Sequence, residues 1–322
     1  MRAGTSEYDR FGPWIDDVTT PEEMPPLYRD YPLDLARARM VLKVPRNISR
    51  RNATPDMDLY DHLLVLDEVG LTLLSRRVTT GTRRTPVTRG YDVVAVPYSQ
   101  VVAVLDTTDL LDARLTVFSQ AGAALSFSYS GSARASVTRL VSAIRAASEV
   151  YPPSAAGRAL LKSAARTAAP AVLDPGDADV VFVNDFEELA RRHAGLAAWT
   201  CHGRVAALPR GGGWAGAARK FTHLLKPATL HGAIVAGDPG TIEIVGRRGW
   251  ILRTRTPVYS HSRLVLPLGA VERLYVAPHE RYVGVSVVRF GAGAASVEIV
   301  VPDDSPALGL FAGAASTRVA AA

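Results

Sequence analysis

The glycine-rich stretch GGGWAG, at residues 211–216, has the spacing of a phosphate-binding loop. Glycines at these positions let a pyrophosphate approach a helix N-terminus, and an acidic side chain further along binds ribose hydroxyls. Because Pro209 and Arg210 interrupt the turn, and no further strand–helix–strand pattern follows, we favour a flexible hinge here. The open alternative is a dinucleotide site formed by Gly211, Gly213, Gly216 and Asp238.

Two arginine clusters are the strongest candidates for ligand binding. A planar guanidinium group binds two oxygen atoms at once, which suits a phosphate or a carboxylate. The structural alternative is that these charges protect strand edges against sheet-to-sheet aggregation. We predict that an anionic group or a protein partner binds at solvent-facing rims formed by Arg76, Arg77, Arg83, Arg84, Arg89, Arg247, Arg248, Arg253, Arg255 and Arg263.

A basic amphipathic helix is predicted over Trp214–Lys226, directly after the glycines. Aromatic residues on one face and cations on the other are typical of helices that lie on an anionic membrane or dock to a partner. A surface helix that packs its aromatic stripe on a neighbouring domain is the simpler interpretation. The residues of this candidate helix site are Trp214, Arg219, Lys220, Phe221 and Lys226.

Catalytic patterns are weak, and the sequence predicts no enzyme, no cofactor and no metal site. Cys201 and His202 are adjacent, so in a strand their side chains point to opposite faces and cannot form a nucleophile–base pair. The seven histidines are scattered without the spacing of metal ligands. Asp174, Asp177 and Asp179 around Gly176 are predicted to form a solvated turn that leads into a strand.

The chain contains an internal repeat. Arg76-Arg77 and the RTPV sequence at 84–87 recur as Arg247-Arg248 and the RTPV sequence at 255–258. From Pro97 and Pro267 onward, apolar positions match without gaps over more than twenty residues. An apolar phase conserved over that length indicates that one fold occurs twice.

The first copy combines strands with a closing helix. Tyr60–Asp67 and Leu71–Val78 are rich in β-forming residues and are joined by a hairpin signal, and further strands are predicted from Tyr91 to Tyr129. After Gly131 the apolar period becomes that of a helix, with an apolar stripe and Ser132 as N-cap. We therefore predict antiparallel strands covered by one amphipathic helix.

This order of elements, with the phrase VPYSQV at residues 96–101 and the arginine-rich loop before it, resembles bacterial pleckstrin-homology-like (PH-like) domains. The resemblance implies an α+β fold: two PH-like antiparallel β-sheet or barrel domains, each closed by a C-terminal helix, with a mainly helical insert between them. It also implies a binding or assembly role, because members of the family act mostly in that way. The resemblance and the arginine-rich composition lead us to expect an actinobacterial source.

The predicted domains are an acidic N-terminal arm at 1–38, PH-like domain 1 at 39–149, the insert at 150–227, PH-like domain 2 at 228–316 and a tail at 317–322. Within the insert we predict helices at Ser154–Ala169 and Phe186–Trp199 and short strands at Val180–Val183 and Val205–Leu208. The third predicted helix is the basic one described above.

Composition narrows the class of protein. One cysteine excludes a disulfide framework, and only four of the 37 basic residues are lysines, so the net charge of +6 reflects an arginine bias more than nucleic-acid binding. We predict a cytoplasmic, non-enzymatic adaptor or assembly protein that binds an unknown protein partner; self-association stays open. The alternatives are a peripheral protein on an anionic lipid surface and a dinucleotide-dependent enzyme.

Overall fold

The computed structural model describes residues 7–77, 90–122, 124–211, 227–253, 259–315 and 317–318. The chain forms two compact units. Unit 1 comprises Met1–Tyr98, Leu111–Thr116 and Leu125–Ala147, and unit 2 comprises Ser99–Leu110, Val117–Ala124 and Ser148–Ala322. Among the described residues, no helix has the length and apolar character needed to cross a membrane.

Unit 1 is built on an antiparallel sheet in which five strands follow one another in chain order. These strands are β1 (Asp16–Asp17), β2 (Met40–Pro45), β3 (Tyr60–Leu66), β4 (Gly70–Arg76) and β5 (Tyr91–Pro97). The β3–β4 turn forms because the Asp67 carboxylate accepts hydrogen bonds from the amides of Val69 (2.7 Å) and Gly70 (2.8 Å). The N-terminal arm includes the short helix α1 (Glu7–Arg10), and its Tyr28 is fully buried against residues of β2, β3 and β4.

The chain continues from this sheet through three further strands to a helix. These elements are β6 (Val101–Asp109), β7 (Asp112–Ser119), β8 (Ala124–Ser130) and α2 (Arg134–Ser148). The predicted apolar stripe of α2 is buried at Val137, Leu140, Val141 and Ile144. A 3-10 turn at Gly131–Ala133 leads into α2, and Ser130 is the N-cap of this turn, because its hydroxyl accepts from the Ser132 amide (3.4 Å). Ser132, the N-cap that we predicted, lies inside the turn.

Unit 2 contains an antiparallel sheet in which β6, β16, β14, β13 and β9 are neighbours in that order. The strands are β9 (Ala197–His202), β13 (Ala233–Gly237), β14 (Thr241–Gly246) and β16 (Ser260–Pro267), with β6 contributed from earlier in the chain. One face buries Ile242 and Ile244 with helices α3 (Ala155–Ala164) and α5 (Pro306–Ala314). The other face buries Val245 against helix α4 (Val181–Arg192).

The rest of unit 2 consists of a second sheet and short strand pairs. In the second sheet, β20 (Ala295–Pro302), β19 (Val285–Ala292) and β17 (Arg273–Pro278) are antiparallel, and β21 (Thr317–Arg318) joins β17 in parallel. The short strands are β10 (Val205–Ala206), β11 (Leu208–Pro209), β12 (Ala228–Leu230), β15 (Ile251–Arg253) and β18 (Tyr282–Val283).

The prediction of an α+β protein with mostly antiparallel sheets and few helices is confirmed, whereas the sheets are open and not closed barrels. Pro97 ends β5, which follows the β3–β4 hairpin, and Pro267 ends β16, which follows the β13–β14 hairpin and the short strand β15. After each proline the chain forms three strands of six residues or more and then a helix, with the short strand β18 interposed in the second case. The order of elements is therefore similar, but not identical, at the two prolines that mark the sequence repeat.

The insert differs from its prediction in several places. The helix predicted at Ser154–Ala169 is α3 and ends at Ala164, and the strand predicted at Val205–Leu208 is divided between β10 and β11. Val180–Val183 is not a strand, because the chain enters helix α4 at Val181. The helix predicted at Phe186–Trp199 ends at Arg192, and Ala197–His202 forms β9 instead. The reason is tertiary: α4 buries Phe182, Phe186 and Leu189 on the sheet, and β9 pairs with β13.

Candidate functional site

The first-copy arginines that the structure describes are both paired with carboxylates. Arg76 lies at the end of β4, and its Nε and Nη2 atoms are each 2.7 Å from Oδ1 of Asp61. Arg77 donates from Nε to Oδ1 of Asp92 at 2.6 Å, and both side chains are about half exposed or more. An external anion at either arginine therefore competes with an acid of the same sheet.

The second-copy arginines differ more sharply from the prediction. Arg247 and Arg263 are only 5% exposed, so the solvent-facing rim that we predicted for them is wrong. Each side chain enters the interior because a buried carboxylate binds it there: Asp179 for Arg247 and Glu243 for Arg263. Arg248 is exposed, and its amide donates to the Ser260 hydroxyl (3.3 Å).

Several predicted site residues lie outside the described part of the chain. They are Arg83, Arg84, Arg89 and Arg255 of the arginine clusters, all five residues of the basic helix (Trp214, Arg219, Lys220, Phe221 and Lys226), and Gly213 and Gly216 of the glycine stretch. Arg253 ends β15, and the structure describes its backbone only.

Asp238, the acidic residue of the predicted dinucleotide site, has a structural role in a turn. Asp238 is buried and closes the hairpin between β13 and β14, where its Oδ1 accepts hydrogen bonds from the amides of Gly240 and Thr241, both at 2.9 Å. A ribose-binding acid ends a strand of a parallel sheet, whereas β13 is antiparallel to both of its neighbours. Asp238 is therefore a turn residue, and its assignment to a cofactor site is wrong.

The buried carboxylate of Asp179 is the centre of an ionic cluster that sequence reasoning missed. Its Oδ1 accepts from Nε (2.9 Å) and Nη2 (2.7 Å) of Arg247, and its Oδ2 accepts from the amide of Gly232 (2.9 Å) and from Nε of Arg204 (3.1 Å). Nδ1 of His231 lies 3.4 Å from Oδ2. The solvated turn predicted around Asp179 is therefore wrong for this residue, whose side chain is fully buried.

The electrostatics of this cluster follow from its hydrogen bonds. Burial alone raises the pKa of Asp179, but hydrogen bonds from His231, the Gly232 amide and Arg247 outweigh it and hold the pKa well below its usual range. Arg247 also donates to the carbonyl groups of Ala178 (2.6 Å) and Ser260 (2.8 Å). These contacts fix the start of α4 to β14 and β16, which is a structural role.

A second buried ion pair lies on the same sheet. Arg263 holds Glu243 in a bidentate contact, with Nε to Oε2 at 2.8 Å and Nη2 to Oε1 at 3.0 Å. Asp106 of β6 is opposite Arg263 in the strand register, and Nε2 of His193 lies 3.3 Å from Nη2. Arg247 and Arg263, which we expected at rims, thus join strands and helix in the interior of unit 2, whereas Arg248 is exposed.

The adjacent residues Cys201 and His202 lie in a strand, which is the condition under which we predicted that their side chains point to opposite faces. Cys201 and His202 are consecutive in β9, so their side chains lie on opposite faces of the sheet. Burial raises the pKa of the Cys201 thiol to about 11 and lowers the pKa of the His202 imidazole. A protonated thiol on the face away from its base lacks the geometry of a catalytic nucleophile.

The two edge strands of the unit 1 sheet, β1 and β5, differ in length and in charge. At one end, β1 is only two residues long and both are aspartates, Asp16 and Asp17. At the other end, β5 is seven residues long, and its exposed residues include Val93, Val94 and Ala95. Short strands and charges protect an edge against further strand pairing, whereas a long apolar edge invites it. The exposed edge of β5 is our candidate functional site.

The backbone groups of β5 that point away from β4 follow a regular pattern. The Gly90 carbonyl accepts from the Arg77 amide (2.9 Å), and the Tyr98 amide donates to the Val69 carbonyl (3.0 Å). In the β4–β5 register, the residues that bond to β4 are therefore the even-numbered ones between these positions. The N–H and C=O groups of Tyr91, Val93 and Ala95 point away from β4, and no described strand lies beyond β5.

An edge in unit 2 offers a useful contrast. A cleft of about 460 Å³ lies between β17 and α5, with Asp303 and Asp304 at its mouth. Strand addition at this edge is blocked, because β21 already pairs with Tyr275 and Val276, and Pro278 has no N–H group. The Asp303 carboxylate also accepts a hydrogen bond from Ser286 (2.6 Å). The edge of β5 also ends in a proline, Pro97, but no described strand pairs with it.

Sequence reasoning predicted the strand at Tyr91–Val96 but not its exposure at an edge. The signal was present, because VVAV at residues 93–96 carries no charge that would protect an edge. No family model, curated protein or solved structure matches the chain. The edge of β5 is therefore interpreted from its own geometry.

Proposed function

We propose that the chain is a non-enzymatic adaptor or assembly protein that binds an extended protein segment along the edge of β5. The single observation that carries the proposal is the exposed Val93-Val94-Ala95 stretch on β5, a long edge strand of the unit 1 sheet. Added strands gain affinity from main-chain hydrogen bonds and specificity from alternate side chains. In β5, the outward N–H and C=O groups would form the main-chain hydrogen bonds, and the valine side chains would give the specificity.

The order of elements supports the finer part of the proposal, two PH-like domains with an insert between them. An antiparallel hairpin, a long strand, three further strands and a helix occur in this order in each half of the chain, and the second half adds the short strands β15 and β18 among them. The resemblance implies binding or assembly for such domains, and we propose the cytoplasm as the location because the single cysteine fits a reducing compartment. Fold alone carries little information on function, so the edge of β5 remains the stronger argument.

Fewer of the predicted arginines can bind an anionic ligand than the sequence analysis proposed. Arg76 and Arg77 already bind carboxylates, and Arg247 and Arg263 are buried. Arg83, Arg84 and Arg89 precede β5 in sequence and are the remaining first-copy candidates for an acidic partner. Flotation with anionic vesicles separates this proposal from the peripheral-membrane alternative, because an adaptor stays in the unbound fraction.

The test compares two lysine substitutions of exposed valines. Val93→Lys places a charge on the proposed binding edge, and Val69→Lys, in the β3–β4 turn, is the matched control. Tagged wild-type and variant chains are cross-linked and captured from the native host. We expect a stoichiometric complex with the wild type and with Val69→Lys, and its loss with Val93→Lys.

Hydrogen exchange on the captured complex tests whether the contact is strand addition. The amides of Val93 and Ala95 should exchange more slowly in the complex than in the free protein, because they become donors in a new ladder. The proposal is wrong if their exchange is unchanged, or if both lysine variants capture the same complex as the wild type.

A further inference from the structure

We propose that the edge of β5 binds a second copy of this chain, with the two β5 strands antiparallel about a two-fold axis at Val94. This inference rests on the proposed function of the edge and identifies its occupant. A two-fold interface requires a surface that is complementary to itself. The backbone pattern and the side chains of β5 both satisfy that requirement.

The length of β5 selects the register, because only an axis at Val94 pairs all seven residues of the strand. With the axis at Val94, Val93 lies opposite Ala95 of the second copy, and Tyr91 lies opposite Pro97. Val93, Ala95 and Tyr91 all carry outward N–H and C=O groups, so each Val93–Ala95 pair exchanges two hydrogen bonds. Pro97 lacks an N–H group, but it lies at the end of the strand, where it offers only its carbonyl. This register pairs β5 along its whole length.

The side chains also match in this register. The two Val94 residues face each other on one side of the new pair, and β-branched pairs stabilise adjacent strands. Asp92 lies opposite Val96 of the second copy, so no like charges are opposed. The Asp92 carboxylate is also bound by Arg77 at 2.6 Å. Val93 and Val94 are 48% and 39% exposed, and the pairing buries both.

A second copy explains the edge more simply than an unrelated strand does. The seven residues of β5 are centred on Val94, and the uncharged stretch from Val93 to Val96 occupies the middle of the proposed pair. A foreign strand would need its own matching register. A second copy of the chain has the same β5 strand and therefore the same register.

Disulfide trapping tests the register. On a Cys201→Ser background, Val94→Cys places two thiols in a pair without backbone hydrogen bonds, whose Cα atoms are about 4.5 Å apart. That distance is within disulfide range. In the same arrangement the two copies of Val93→Cys are diagonal, with Cα atoms about 7–8 Å apart. We expect mild oxidation to give a covalent dimer with Val94→Cys, and at least roughly tenfold slower dimer formation with Val93→Cys.

Sedimentation equilibrium of the unmodified chain provides the second measurement. Val93→Pro removes an outward donor and no bond to β4, and it should raise the dimer dissociation constant by at least roughly tenfold. Val69→Lys should leave the constant unchanged, and melting temperatures establish that both variants are folded. A wild-type chain that stays monomeric at all concentrations overturns the inference, as does trapping at position 93 equal to that at position 94.

These outcomes separate the two proposals. If the chain is monomeric but the Val93 and Ala95 amides are protected in the complex captured from the host, the edge binds another protein and only the second copy is wrong. If protection is absent there as well, the proposed function of the edge also fails.

Discussion

Arg76 and Arg247 hold the same position in the internal repeat, yet their surroundings differ. Arg76 binds Asp61, and their side chains are 18% and 31% exposed, in partial contact with water. Arg247 and its partner Asp179 are 6% and 0% exposed, and the guanidinium group stacks on Phe182. Asp179 and Phe182 both belong to the insert, which has no counterpart before the first copy. A repeat thus preserves the place of a residue on a strand, while the elements packed on that strand decide its chemistry.

Removing the acid of the buried pair should give the largest effect on stability. Asp179→Ala leaves Arg247 buried without its carboxylate, which costs about 3–5 kcal/mol in the free energy of unfolding. Chemical denaturation followed by tryptophan fluorescence measures this change. The control is Asp177→Ala, two residues earlier and exposed, which should change stability by less than about 0.5 kcal/mol. Equal denaturation midpoints for the two variants would contradict the comparison.

The second-largest effect concerns how the stability of the Asp179–Arg247 site depends on pH. Because the folded pKa of Asp179 is held below the ordinary value of 3.8, its contribution is fully present above that pH. The contribution is lost as pH falls below the ordinary value and through the folded pKa. We expect Asp179→Asn to flatten the acid limb of melting temperature against pH. An acid limb as steep as that of the wild type would show that another group dominates.

The partly exposed pair should give the smallest effects. Arg76→Ala is expected to lower the free energy of unfolding by about 1 kcal/mol or less, because water screens its pair with Asp61. Arg77→Ala should have a smaller effect still, since both Arg77 and Asp92 are largely in water. Denaturation under the same conditions gives the ranking Asp179, Arg76, Arg77. A loss at Arg76 as large as that at Asp179 would remove the distinction between the two repeat positions.

The sequence was sufficient for the class of fold and for most strands. Two segments rich in β-forming residues, separated by Glu68-Val69-Gly70, predicted the β3–β4 hairpin, and the strand predicted at Tyr91–Val96 is observed at Tyr91–Pro97. The helix after Gly131 was also predicted, with the stripe that it buries. These features depend on local patterns of polarity and on turn residues, which a single sequence contains.

The remaining features depend on contacts between distant residues. Three valines in the sequence VVFV at 180–183 indicated a strand, but Phe182 and Phe186 bury their rings on the sheet and draw the segment into α4. Arg247 and Asp179 are 68 residues apart in sequence, and no local pattern joins them. The edge position of β5 has the same origin, because a strand pattern does not state how many neighbours a strand has.

The pairing of β6 with β16 limits how this chain can be divided. A fragment that begins near residue 150 keeps the second copy of the repeat but loses the strand that completes its sheet. Leu264 and Val265 of β16, whose register partners are Leu105 and Val104, would then lie at a bare edge. The sequence repeat therefore does not divide the chain into two separable halves, because the sheet that contains β16 includes a strand from before residue 150.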